Sequence, residues 1–110
     1  MGAGRMSEVC PATLDRLVTA FCADYERRLS AIADKSVSMR VEMEYKYLNH
    51  RILEGAAEIV GAELAELFID EIGRNVGYVN SRHPASCEAS YKREKREVKL
   101  SIARKLHLLA

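Results

Sequence analysis

From Leu14 onward the apolar residues of this chain return at three- and four-residue steps: Leu14, Leu17 with Val18, Phe21, Tyr25, Leu29 and Ile32. That recurrence marks one face of an α-helix, because residues three and four apart lie on the same side of a 3.6-residue turn. Pro11 suits a first turn, where its missing N–H would have had no partner within the helix. The spacing predicts a helix from about Pro11 to Ala33. Asp34-Lys35-Ser36 reads as a connector, with Ser36 or Ser38 available as the N-cap of the next element.

The segment from Val37 to Tyr47 has two readings. Val37, Met39, Val41, Met43, Tyr45 and Tyr47 alternate strictly with polar residues, which is the period of a half-buried strand. A helical stripe also fits, through Val37, Val41, Tyr45, Leu48, Ile52, Ala56 and Ile59, and it continues into a stretch with no strand character. A lone strand leaves its backbone groups without partners unless a second chain supplies them, so a helix from about Ser38 to Val60 is favoured, with a dimeric ribbon as the alternative.

Gly61 separates that segment from Ala62–Ile72, whose Leu64, Ala65, Phe68 and Ile72 share a face, and Gly73 is expected to stop this third helix. Residues 74–85 hold Asn75, Gly77, Asn80, Ser81 and Pro84, which reads as a loop. Pro84 or Ser86 opens a last helix in which Tyr91, Val98, Ile102, Leu106 and Leu109 align. The expected fold is therefore all-α, three to four helices in a small antiparallel bundle, with the first two long helices supplying much of the core. Trp is absent and only two Phe and five Tyr are present, so aliphatic side chains must fill that core. Residues 1–10 are expected to form a flexible tail and residues 11–110 a single helical domain.

Cys10, Cys22 and Cys87 are odd in number and widely spaced, which favours neither a disulfide framework nor a zinc knuckle and fits a reducing cytoplasm. No apolar stretch is long enough to cross a bilayer. His50, His83 and His107 are far apart and no Glu-x-x-His pairing accompanies Glu54, Glu58, Glu63 or Glu66, so no metal or cofactor is expected and the carboxylates read as a solvated face. Cys87 sits where a helix start could lower a thiol pKa, but no acid, base and nucleophile converge with it. The expectation is a non-enzymatic protein.

Charge is segregated along the chain. Residues 53–72 carry Glu54, Glu58, Glu63, Glu66, Asp70 and Glu71 without a base, while over residues 92–105 Lys92, Arg93, Lys95, Arg96, Lys99, Arg104 and Lys105 face only Glu94 and Glu97. At about 100° per residue Lys92, Arg93, Arg96, Lys99 and Arg104 share an arc of about 140°. Such a stripe can displace counterions from phosphates, the main source of non-specific nucleic-acid affinity. It can equally be a solvated face balancing the acidic segment, and its cations favour a helix C-terminal half on dipole grounds.

Phe68 to Gly73, the turn-rich loop, Ser90-Tyr91-Lys92-Arg93-Glu94-Lys95-Arg96 and Ile102-Ala103-Arg104-Lys105-Leu106 resemble the C-terminal ends of ArpU-like phage late-transcription regulators, which are similar to sigma-factor region four. Tyr91, Lys92, Arg93, Arg96, Ile102, Ala103 and Leu106 match that pattern over about the last 40 residues. The resemblance implies a helix-turn-helix in which the last helix reads DNA, although residues 74–85 exceed the three or four residues usual between such helices. Glu44-Tyr45, Leu48-Asn49 and Ile52 bear a likeness to mobile-element proteins. The combined expectation is a small cytoplasmic DNA-binding regulator or phage or mobile-element accessory protein, compatible with a homodimer. Lys92, Arg93, Lys95, Arg96 and Lys99 would meet phosphate, with Tyr91 anchoring the helix. The alternative is a helical protein-interaction module that ignores nucleic acid. The two part on whether the cations stand exposed or pair with Glu63, Glu66 or Asp70.

Overall fold

A computed structural model of the protein describes residues 11–82 and 87–109. The described residues form α1 (Pro11–Ala23), α2 (Tyr25–Asp34), α3 (Met39–Val60), α4 (Ala62–Gly73), a single 3-10 turn (Tyr78–Asn80) and α5 (Glu88–Lys105). The fold is all-α, and no strand occurs among the described residues. The expected N-terminal tail and the expected helix start at Pro84 or Ser86 lie outside the described residues.

The helix expected over residues 11–33 is present but interrupted at Asp24, so α1 and α2 are two segments of one near-continuous run. Arg28 secures the break. It is 3% exposed, donating from Nη2 to the Phe21 carbonyl at 2.5 Å and from Nε to Asn49 Oδ1 at 2.6 Å. Asn49 in turn donates from Nδ2 to the Tyr25 carbonyl at 3.1 Å. A guanidinium at the carbonyl end of α1 meets the negative end of that helix's dipole, which offsets part of its desolvation. One buried pair thereby ties both sides of the break to α3.

α2 ends on Lys35, which takes the left-handed conformation (φ 54°) while Ser36 N–H donates to the Ala31 carbonyl at 3.2 Å. α3 then opens as expected at Ser38, whose Oγ accepts from Val41 N–H at 3.3 Å. The segment with alternating residues is helical, so the ribbon alternative is excluded. Its alternation arises because Met39 and Met43, with Tyr47, point outward instead of into a core.

Gly73 does not terminate α4 in the expected way. A Cβ there would lie 2.8 Å from Ala23 Cα, so Gly73 is the point where α4 touches the end of α1. The left-handed residue comes later, at Asn75 (φ 56°), and Val76 N–H closes the turn onto the Glu71 carbonyl at 2.9 Å. Asn tolerates that conformation because its short polar side chain can bond locally.

The core collects Val18, Cys22 and Tyr25 from the first run, Ile52 and Ala56 from α3, Ala65, Phe68, Ile69 and Ile72 from α4, and Tyr91, Val98, Ile102 and Ala103 from α5. The first two long helices supply Val18, Cys22, Tyr25, Ile52 and Ala56, and the later two the remainder. α3 packs most extensively against α5, where Gly55 lets the backbones close: a Cβ on it would stand 2.8 Å from Ile102 Cα. Phe68 and Tyr91 stack with ring centroids 6.0 Å apart, an arrangement worth about 0.5–1.5 kcal/mol beyond area burial. No helix among the described residues is long and apolar enough to cross a membrane.

Candidate nucleic-acid interface

α5 is amphipathic, so burying Val98, Ser101, Ile102 and Ala103 against α3 turns its basic arc outward. The cations do not share one fate. Lys92, Lys95, Arg96 and Lys99 line one side of an open groove of about 300 Å3, with Asp15 of α1 on the other. These residues lie at steps of three and four, one row along the helix surface. Arg93, on the same arc, is exposed beside the groove.

Lys99 Nζ donates to Asp15 Oδ1 at 2.7 Å, an ion pair across 84 positions of sequence that fixes the groove width. Lys95 lies deeper, donating from Nζ to the Val76 carbonyl at 2.6 Å, with its ammonium 5.7 Å from the Tyr91 ring centroid. Burial, and secondarily the Lys99 ammonium, push the Lys95 pKa below the ordinary lysine value. Lys92 pairs along its own helix with Glu88 at 2.8 Å, an exposed contact worth only a few tenths of a kcal/mol. Arg93 and Arg96 have no ion pair or hydrogen bond from their guanidinium groups among the described residues.

The acidic segment does not neutralise this row. Asp70 pairs with Arg74 at 2.9 Å and Arg82 at 3.6 Å, and Glu66 accepts from Tyr25 Oη at 3.3 Å. Near the far end of α5, Lys105 meets Glu58 at 2.5 Å, tying that end of the helix to α3. Five of the cations named from sequence are thus brought to one face of α5, two of them already engaged with other elements.

Tyr91 is not part of the exposed face. It is 1% exposed, and its Oη donates to Glu71 Oε1 at 2.9 Å and lies 3.3 Å from the Val76 carbonyl. Buried there, Tyr91 ties α5 to Glu71 of α4 and to the Val76 carbonyl and presents no surface to an outside molecule. Glu71 is equally hidden at 1% exposure, unlike the exposed Glu58, Glu63 and Glu66 of the same acidic segment. It also accepts from Ser81 Oγ at 2.7 Å and from Arg82 N–H at 2.8 Å. Burial pushes its pKa up, but those bonds and the one from Tyr91 outweigh burial and hold the carboxyl below its ordinary value. One buried carboxylate therefore ties Ser81 and Arg82 of the loop to Tyr91 of α5.

The connection between α4 and α5 spans residues 74–87, well beyond the three or four residues of a helix-turn-helix turn. A second depression of about 350 Å3 lies between the α1–α2 break and α4, lined by Cys22, Tyr25, Glu26, Glu66, Asp70 and others. Its Cys22 thiol is pushed up to about 12, chiefly by burial, which makes it a poor nucleophile. No group of three or more His, Cys, Asp or Glu among the described residues is placed to hold a metal ion. Comparisons with protein-family models, with curated proteins and with solved structures find no match for this chain.

Proposed function

We propose that this is a small, non-enzymatic DNA-binding protein of regulatory or mobile-element accessory type, which sets one face of α5 against the phosphate backbone. The observation that carries this reading is the row of Lys92, Lys95, Arg96 and Lys99 along the α1–α5 groove, left uncovered by the acidic helix α4. Arg96 and the adjacent Arg93 are exposed without an acidic partner among the described residues, the state in which a guanidinium gains most from a phosphate. Buried Tyr91 leaves the face without an exposed ring on which bases could stack, which favours duplex phosphate contact over single-strand stacking.

The test is fluorescence-anisotropy binding to mixed-sequence duplex at two salt concentrations. The native chain is compared with the Lys92, Arg93, Arg96 and Lys99 quadruple alanine variant and with Arg93→Ala/Arg96→Ala, which disturbs no internal contact. Binding that weakens steeply with salt, and that falls in both variants while circular dichroism is unchanged, is the expected result. Absence of binding by the folded native chain at low salt overturns the reading.

A further inference from the structure

The first half of α3 stands clear of the core. Its first buried residue is Asn49, and ahead of it Met39 is 78%, Met43 66% and Tyr47 51% exposed. Spaced four apart, these side chains form a single outward ridge. A contiguous exposed apolar ridge in a folded chain marks a surface that another molecule covers, and methionines adapt readily to such contacts.

The residues beside the ridge specify that molecule. Outward from Met43, the chain reads acid then base in both directions: Glu42 and Arg40 on one side, Glu44 and Lys46 on the other, with Met39 and Tyr47 closing the ends. A contact about a two-fold axis brings one patch against a reversed copy of itself, so it needs a patch that is self-complementary, and this order of charges supplies opposite signs on each flank when the helix is reversed. We propose that a second copy of this chain covers the ridge, its α3 antiparallel to the first, with the two-fold axis passing at Met43.

The charges then complement one another. Arg40 lies roughly 4.5 Å before Met43 along the helix and Glu44 roughly 1.5 Å after it, on the same flank. Reversal sets the partner subunit's Glu44 roughly 3 Å along the axis from Arg40, and the relation repeats by symmetry. Arg40 and Glu44 hold no ion partner within the chain among the described residues, so both are available. Glu42 and Lys46 stand in the same relation on the opposite flank, although there Glu42 already meets Lys46 at 3.0 Å and Lys35 at 3.6 Å. Three large apolar side chains per copy fall well short of the roughly 20–30 residues a side of a standard interface. The association therefore belongs in the micromolar range, on the order of 1–100 µM. It stands independently of any role for α5.

Sedimentation velocity across that concentration range tests the proposal. The native chain is expected to pass from monomer to dimer. Met43→Glu, a change at an exposed position, is expected to remain monomeric with its helical circular dichroism intact. Arg40→Glu is expected to weaken the dimer about tenfold, and adding Glu44→Arg to the same chain to restore it, because the inverted pair is again self-complementary. A native chain that stays monomeric, a dimer that survives Met43→Glu, or a double variant no better than Arg40→Glu alone overturns the proposal.

Discussion

Tyr91 Oη donates to Glu71 Oε1 at 2.9 Å in the interior, joining α5 to α4 through two side chains that are each 1% exposed. A hydrogen bond to a buried carboxylate is worth more than one between neutral groups, because neither partner has water to fall back on. Tyr91→Phe is expected to cost about 2 kcal/mol and Glu71→Leu about 3 kcal/mol, the latter also removing the acceptor of Arg82 N–H. Chemical denaturation of the two single variants and the double variant checks this, and a coupling energy near zero would show that the contact contributes nothing of its own.

The same carboxylate sets an acid limit to stability. Its folded pKa is depressed below the ordinary 4.5, so its contribution is complete above about pH 4.5 and is lost as pH falls through the lower folded value. The stability difference between the native chain and Glu71→Gln should therefore be constant at neutral pH and shrink on acidification. Thermal melts from neutral to acid pH read that difference directly, and one that does not shrink would contradict the assignment.

Gly55 and Gly77 give opposite expectations for the same substitution. Gly55→Ala drives a methyl into the Ile102 backbone at 2.8 Å, whereas nothing lies within 4 Å of a Cβ at Gly77, whose φ is −89°. Overpacking costs about 1–3 kcal/mol, more than the ~1 kcal/mol that alanine returns through helix propensity. The melting temperature should fall for Gly55→Ala and hold or rise slightly for Gly77→Ala.

Helix positions were legible because each element carries its period and an end signal, as at Ser38 and Gly61. The break at Asp24 was not, since neither Gly nor Pro marks it and Arg28, which bonds across it, takes a partner, Asn49, that lies 21 positions onward. The apolar alternation of residues 37–47 pointed two ways because helical patterning assumes that apolar side chains face inward, and Met39 and Met43 do not. In the candidate site, angular spacing alone places the basic residues on one arc. It cannot distinguish Arg96, which faces solvent, from Lys95, which is bound to a loop carbonyl. Glu71 is not set apart from its neighbours in the sequence for a similar reason: it sits in a run of acids, and what makes it different is a loop that folds back over it.

The two walls of the cationic groove come from Asp15 and from residues 92–99, near opposite ends of the described chain. An unfolded chain parts Asp15 from the α5 row, so the two-walled groove exists only while α1 and α5 are packed together. A duplex bound there as proposed would draw the folding equilibrium with it by mass action. The protein's own melting midpoint thereby becomes a gauge of occupancy, one that needs no label on the ligand.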